Sequence, residues 1–152
     1  MEASAKTAKT RKEPSAPMQW LEDENLLEWG RCLDYGCGKG FDADFYGMEK
    51  FDPNHFPEEP TGLFDTITCN YVLNVVPEVE GNLIIRAIHN LMSDSACAYI
   101  TVRRDVKVDG LTKSGTFQRN VVLDLPVIYQ RTGRFCIYGM GREYVNSMWD
   151  LI

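Results

Sequence analysis

Three glycines at alternate positions stand directly behind a short apolar segment, in the stretch LDYGCGKG at residues 33–40. Glycine loses more conformational freedom on folding than any other residue, so Gly36, Gly38 and Gly40 need a local reason to be there. The usual reason is a tight turn that brings bare backbone close to a ligand. The stretch therefore predicts a buried strand that ends in a ligand-binding turn.

Strand-like and helix-like segments alternate through the first hundred residues. Apolar and β-branched runs predict strands, whereas apolar residues spaced by three or four predict the helices between them. This alternation is typical of an α/β fold with a mostly parallel sheet and helices on both faces. The predicted strands are RCLDY, MEKFD, FDTITCN and ACAYITVR, and the predicted helices begin near Ser15, Phe41 and Glu78.

The second half of the chain gives two further expectations. After Pro77, the apolar residues of EVEGNLIIRAIHNLM predict an inward helix face that includes Leu83 and Ile88. The segments TFQRNVVLD and RFCIYGM predict two strands joined by about ten residues. These two strands would form a C-terminal antiparallel hairpin at one edge of the sheet.

The glycine spacing separates two classes of ligand. In sheets of this kind the ligand binds over the carboxyl ends of the strands, where the turn lies. A dinucleotide site requires Gly-x-Gly-x-x-Gly, but the sixth position of that pattern is Phe41. The spacing present is Gly-x-Gly-x-Gly, with Asp34 two residues before the first glycine. It resembles the first motif of class I methyltransferases that use S-adenosylmethionine.

Two further motifs carry the same resemblance, and the three together span residues 31–103. Asp52 ends the second strand, where the family places an acid that accepts hydrogen bonds from the ribose hydroxyls. FDTITCNYVLNVVPE is similar to the family's fourth-strand motif. The resemblance implies S-adenosylmethionine as methyl donor and no metal. It implies donor contacts at Asp34, Gly36, Cys37, Gly38, Gly40, Asp52 and Asn70.

The residue types suit this donor independently of the family. S-adenosylmethionine carries no phosphate, so the turn needs bare backbone and an acid, Asp34, to bind the ammonium group of the ligand. The Asp52 carboxylate could accept hydrogen bonds from a ribose diol. Each residue also has a structural alternative: Asp34 could cap a helix or turn, Asp52 could start a turn before Pro53, and Asn70 could be a turn residue.

The interval between the second and third predicted strands, residues 53–63, is short and contains three prolines. The family normally has a helix, a third strand and an adenine-contacting acid there, and this interval has no room for both elements. The resemblance therefore implies a reduced Rossmann-like class I methyltransferase fold whose third-strand region is shortened or absent. The second strand would lie at or near a sheet edge.

No motif identifies the methyl acceptor. The end of the fourth-strand motif reads CNYV, which lacks both the D/N/S-P-P-Y/F/W run of amino-methylating DNA enzymes and the Pro-Cys nucleophile of cytosine-C5 enzymes. The polar residues that could take part in catalysis are Asn70, Tyr71 and His55. The stretch 101–120 holds five basic residues against two acids, so acceptor binding is expected at Arg103, Arg104 and Lys113.

Two kinds of acceptor therefore stay open. A net charge of −6 favours a small molecule over nucleic acid. The basic stretch favours nucleic acid, as does a closer resemblance to small prokaryotic and phage methyltransferases, some found beside DNA phosphorothioation genes. An alternative function is a noncatalytic S-adenosylmethionine-binding subunit of a larger enzyme.

The remaining expectations concern organisation and location. We expect residues 1–14 to form a mobile tail and residues 15–152 to form a single methyltransferase domain. The shortened sheet would leave the adenine side of the pocket open. Residues 1–17 or a second copy of the chain, in a homodimer, could close it. No apolar run approaches a membrane span, and five cysteines form no Cys-x-x-Cys pair, which favours a cytoplasmic protein with free thiols.

Overall fold

A six-stranded sheet forms the centre of the computed structural model, which describes residues 11–27, 29–144 and 149. The strands of this sheet are β1 (Cys32–Tyr35), β2 (Glu49–Phe51), β3 (Phe64–Asn70), β4 (Met92–Arg103), β7 (Val127–Arg131) and β8 (Phe135–Gly141). A separate two-stranded hairpin consists of β5 (Gly110–Leu111) and β6 (Phe117–Gln118).

The strand order is β2-β1-β3-β4-β8-β7. The first four strands in that order are parallel, and Leu33 in β1 lies opposite both Glu49 in β2 and Ile67 in β3. Strand β8 runs antiparallel to β4, and β7 runs antiparallel to β8. This arrangement confirms the predicted α/β fold with a mostly parallel sheet and a C-terminal antiparallel hairpin.

The sheet ends at β2, as the prolines predicted. Residues 53–63, all of which the structure describes, contribute no strand to the sheet. The β-type pairing in this interval is one isolated bridge between Asp52 and Phe56. The interval packs back on the edge instead, where the Phe56 ring lies 4.5 Å from the ammonium group of Lys50 and the carbonyl of Thr61 accepts a hydrogen bond from Arg31.

Helices cover both faces of the sheet. Helices α1 (Ala16–Asp23) and α2 (Phe41–Tyr46) lie on one face, and helix α3 (Glu78–Asn90) lies on the other, after a short 3-10 helix, Leu73–Val75. Pro17 stands in the first turn of α1, where a missing N–H costs nothing. Gly40 and Gly47 end α2 on both sides in the left-handed conformation.

Alternation along the central strands divides the apolar residues between two clusters. In β4, Ile100 and Val102 pack in the cluster beneath α3, whereas Tyr99 packs in the cluster beneath α1 and α2. In β8, Tyr138 belongs to the first cluster and Ile137 to the second. The central strands are therefore buried on both faces, as expected for a helix-flanked sheet.

Two sequence predictions in the second half of the chain were wrong. The strand that pairs with β8 is Val127–Arg131, and the segment TFQRNVVLD contributes β6 and an irregular stretch. The turn between β7 and β8 is consequently three residues, 132–134, instead of about ten. In α3, Leu83 is 46% exposed, whereas Ile84, Ile85 and Ile88 are buried.

Some expectations lie largely outside the described residues. The predicted mobile tail covers residues 1–14, of which the structure describes only 11–14. The single domain over residues 15–152 stays a prediction. Among the residues that are described, no helix is both long and apolar enough to span a membrane.

The phase of α3 can be tested with a matched pair of substitutions. Ile88 is fully buried and Leu83 is 46% exposed on the same helix. Ile88→Ala should lower the free energy of unfolding by about 2–4 kcal/mol, because it removes buried methyl groups and leaves a cavity. Leu83→Ala should lower it by less than about 1 kcal/mol. Urea denaturation measures both values, and equal losses would contradict the observed helix phase.

Candidate functional site

A cavity of about 360 Å³ opens over the carboxyl ends of the parallel strands. Its walls include Asp34 from the end of β1, Asp52 from just after β2, Asn70 from the end of β3 and Arg103 from the end of β4. Because parallel strands end at the same edge of a sheet, residues far apart in the sequence meet there. The cavity therefore brings together all seven residues predicted to bind a donor.

The glycine turn forms the floor of this cavity. Gly36, Gly38 and Gly40 have φ values of 83°, 57° and 86°, in the left-handed region that glycine adopts without strain. The backbone N–H groups of Gly36 and Cys37 donate to the carbonyl of Phe51, at 2.7 and 3.0 Å. A Cβ atom at position 36 would collide with the side chain of Val72. The turn thus requires glycine for both conformation and space.

Asp34 is the most buried acid of the cavity, with 3% of its surface exposed. The Thr68 hydroxyl donates to its Oδ1 at 2.9 Å. The pKa of Asp34 is raised to about 7, mainly by burial and then by the charge of Asp42, whereas the Thr68 hydrogen bond lowers it. No ion pair joins Asp34 to a cation among the described residues. The site therefore holds a buried carboxyl group that forms no ion pair with a described residue, although the nearby charge of Arg11 lowers its pKa.

Asp52 starts a turn, as its structural alternative predicted, and it also lines the cavity. Its Oδ1 accepts hydrogen bonds from the backbone N–H groups of Asn54 and His55, at 2.9 and 3.1 Å, so it does start a turn. Its Oδ2 accepts a hydrogen bond from the Gly38 N–H at 3.0 Å, while the residue also lines the cavity. Three of the roughly four acceptor positions of this carboxylate are thus occupied, and one on Oδ2 has no partner among the described residues.

Asn70 is the polar group of the cavity that most clearly lacks partners. Both its Oδ1 and Nδ2 are buried, and neither makes a hydrogen bond to a described residue. The next residue, Tyr71, has a φ of 63°, which is unusual for a side chain with Cβ. This turn is held by a hydrogen bond from the Tyr71 N–H to the carbonyl of Thr101, at 2.9 Å. Buried amides without partners are uncommon, so the Asn70 side chain is suited to bind a ligand.

The N-terminal segment contributes a wall that sequence reasoning did not assign to particular residues. Arg11 and Ala16 line the cavity. The backbone N–H and the hydroxyl of Ser15 both donate to the carboxylate of Asp42, each at 2.8 Å. This double contact ties the start of α1 to the start of α2. Nothing local in the sequence marks Asp42, because its partner lies 27 residues away.

Cys37 lines the cavity without being suited to act as a nucleophile. Burial raises the pKa of its thiol to about 12, and the charge of Asp34 raises it as well. The thiol is therefore protonated at neutral pH, and only a thiolate attacks efficiently. Burial also raises the pKa of the Cys69 thiol. All five cysteines are free, and no group of three His, Cys, Asp or Glu among the described residues is arranged to hold a metal.

Three predicted residues do not line the cavity. His55 is exposed, and its backbone N–H contacts Asp52. Arg104 donates to the Val121 carbonyl at 2.6 Å and to the Tyr138 hydroxyl at 2.7 Å. Lys113 is exposed between β5 and β6. Two do line it: Tyr71, and Arg103, whose guanidinium makes two hydrogen bonds to Asp105, at 2.7 and 2.8 Å.

The buried carboxyl group should affect stability in a defined pH range. The pKa of Asp34 is about 7 in the folded protein, well above the 3.8 of an unperturbed aspartate. The folded protein therefore holds a proton that the unfolded chain releases, and stability falls as the pH rises between these two values. Asp34→Asn removes this loss. As the pH rises from 5 to 8, the unfolding free energy of the variant should therefore rise by about 2 kcal/mol relative to that of the unsubstituted protein.

Urea denaturation of the ligand-free protein at several pH values measures this gain. Asp44→Asn is the matched control, because Asp44 is exposed and paired with Lys50 at the surface. A constant difference between Asp34→Asn and the unsubstituted protein across that range would show that Asp34 is not buried as a neutral acid.

Comparison with solved structures finds the same fold in methyltransferases. A structure described as a DhpI–SAH complex has a TM-score of 0.56 and 13% identity, covering 85% of both chains. The 1,6-didemethyltoxoflavin-N1-methyltransferase of Burkholderia thailandensis, bound to 1,6-didemethyltoxoflavin and S-adenosylhomocysteine, has a TM-score of 0.60 and 14% identity. The alignment covers 82% of this chain and 76% of that one. At these identities the likeness is one of fold.

Sequence comparison assigns the family. No curated protein matches the chain. The family model described as a methyltransferase domain matches residues 4–132, which is most of the sequence and includes the four parallel strands of the sheet. The sheet order, the glycine turn and this match agree with one another. The chain belongs to the methyltransferase domain family.

Proposed function

We propose that this protein transfers a methyl group from S-adenosylmethionine, which binds in the cavity above the glycine turn. The observation that carries the proposal is Asp34, a buried carboxyl group that forms no ion pair with a described residue, directly beside Gly36 and Gly38. A buried charge is stable when it is paired, so the site favours a ligand that brings a positive charge. S-adenosylmethionine carries an ammonium group and a sulfonium.

The other residues of the cavity fit the same ligand. The turn presents bare backbone without an excess of cations, which suits a donor that has no phosphate. The free acceptor position on the Asp52 Oδ2 allows one hydrogen bond from a ribose hydroxyl in this conformation. The unpartnered Asn70 amide offers one donor group and one acceptor group to the bound ligand.

Positioning would account for most of the catalysis. The methyl carbon leaves the sulfonium sulfur, which keeps the bonding electron pair, and bonds to the acceptor nucleophile, which then loses its proton. Such an in-line displacement depends on holding the two reactants close together and aligned. Asn70 and Tyr71 are the cavity residues proposed for this task. Burial raises the pKa of the Tyr71 hydroxyl, so it is protonated at neutral pH and would position a group by hydrogen bonding.

Several finer proposals remain with this function. The closer relationship to prokaryotic and phage methyltransferases, some near DNA phosphorothioation genes, stays a hypothesis, as do the cytoplasmic location and the homodimer. The division into a tail at 1–14 and a domain at 15–152 also stays a proposal. Because the sheet is short, a noncatalytic S-adenosylmethionine-binding subunit of a larger enzyme stays the alternative function. Donor binding without labelled methyl transfer to any acceptor in a cell extract, together with a stable partner, would favour that alternative.

Calorimetry with S-adenosylhomocysteine tests the donor site directly. The unsubstituted protein should bind one equivalent. Asp34→Asn should weaken binding by about ten-fold or more, because a charge-assisted contact with the ammonium group is lost. Asp44→Asn removes the same charge from an exposed position and should leave the affinity unchanged. No binding at millimolar ligand, or equal losses in the two variants, would refute the proposed donor site.

The same affinity should depend on pH. Because the pKa of Asp34 is about 7 in the free protein, a cationic ligand must displace a proton at lower pH. Affinity for S-adenosylhomocysteine should fall by about 25-fold from pH 7.5 to 5.5, with protons released on binding. Calorimetry in two buffers of different ionisation enthalpy measures that release. A flat profile without proton release would mean that Asp34 does not meet the ammonium group.

A further inference from the structure

Three arginine side chains border the cavity near Tyr71. Arg11 reaches it from the segment before α1, Arg103 from the end of β4 and Arg134 from the turn between β7 and β8. All three are close enough to Tyr71 for their charges to lower the pKa of its hydroxyl, although burial has the larger, opposite effect. Residues from three separate parts of the chain thus place positive charge around one aromatic ring.

These arginines differ in whether their charge is neutralised. Arg103 is paired with Asp105 through two hydrogen bonds. The guanidinium groups of Arg11 and Arg134 form no ion pair with any residue that the structure describes, although the charge of Arg11 acts on Asp34 and lowers its pKa. The chain as a whole has a net charge of −6, so two arginines without ion pairs at one cavity are not explained by composition. An anionic group on a ligand would give them partners.

We propose that the methyl acceptor is a small molecule with a carboxylate or phosphate group, held at the cavity mouth by Arg11 and Arg134. This inference rests on the proposed methyltransferase function and adds the class of acceptor. Guanidinium groups bind both kinds of anion through paired N–H donors, so the shared chemistry is the planar or tetrahedral oxyanion. Arg103 is already paired with Asp105, and it supports the position of Tyr71. The Arg103 guanidinium lies 5.9 Å from the centroid of the Tyr71 ring.

The structure favours a small anion over a nucleic acid. A polynucleotide needs several cations along its path, because each phosphate contact adds to the affinity. Arg104 is committed to Val121 and Tyr138, and Lys113 lies on the β5–β6 hairpin instead of the cavity wall. A cavity of about 360 Å³ is of the size that binds small molecules.

The test uses simple anions as probes, since the acceptor is not identified. The full chain is saturated with S-adenosylhomocysteine and titrated with inorganic phosphate and, separately, with benzoate, while NMR follows the arginine Nε–H signals. At least one anion should bind in the millimolar range. Arg134→Gln and Arg11→Gln should each weaken its binding by about three- to ten-fold. Lys113→Gln removes the same charge away from the cavity and should change it by less than about two-fold.

The two probes distinguish the sources of the anion. Tighter binding of phosphate assigns a phosphate-bearing acceptor, and tighter binding of benzoate assigns a carboxylate. Affinity for S-adenosylhomocysteine, measured in parallel, should be unchanged in the Arg134→Gln variant, and the NMR spectrum reports whether each variant is folded.

Three outcomes would overturn the proposal. The first is that neither anion binds below about 50 mM. The second is that Lys113→Gln weakens binding as much as the cavity variants do, and the third is that a single-stranded oligonucleotide binds more tightly than both probes, with an affinity that Lys113→Gln lowers. If S-adenosylhomocysteine itself does not bind, the proposed function fails separately. The anion titration of the ligand-free protein then still tests the arginine site.

Discussion

Two backbone N–H groups, from Gly36 and Cys37, converge on the carbonyl oxygen of Phe51 and join the turn after β1 to the end of β2. This contact matters because β2 is the edge strand of the sheet, and no other strand that the structure describes lies beyond it. The position of Asp52 therefore depends on the turn itself, through the Gly38 N–H and the hydrogen bonds of Asn54 and His55. Local hydrogen bonds replace the support that a neighbouring strand would provide.

Asp34 shows how the site departs from what stability alone would select. A neutral residue that accepts the Thr68 hydrogen bond would fit the same space without the cost of a buried acid. The carboxyl group is held in that position by the strand, in register with Thr68 on β3. Local features that oppose stability concentrate at functional sites, because selection for binding overrides the preference of the fold.

Structural features that depend on residues close together in the sequence were predicted, whereas features that depend on distant contacts were missed. The glycine turn, β1 to β4 and the proline-rich edge are local patterns, and they were predicted. The partner strand of β8 was misplaced because TFQRNVVLD and VIYQR are both rich in strand-forming residues, and only pairing with β8 decides between them. In α3, Leu83 and Ile84 are adjacent apolar residues, so packing against the sheet fixes which one faces inward.

The candidate site was partly predictable for the same reason. Arg103 and Arg104 are adjacent, and the sequence assigned both to acceptor binding, whereas the structure turns them to different partners, Asp105 and Tyr138. Arg11 and Arg134 carry no local signal, because they meet only when the N-terminal segment and the β7–β8 turn reach the same cavity. If the acceptor is the anion proposed, its charge would lie near the donor sulfonium in a partly dehydrated cavity, where opposite charges attract more strongly than in water. Bound donor would then raise the affinity for acceptor, and by thermodynamic reciprocity bound acceptor would raise the affinity for donor.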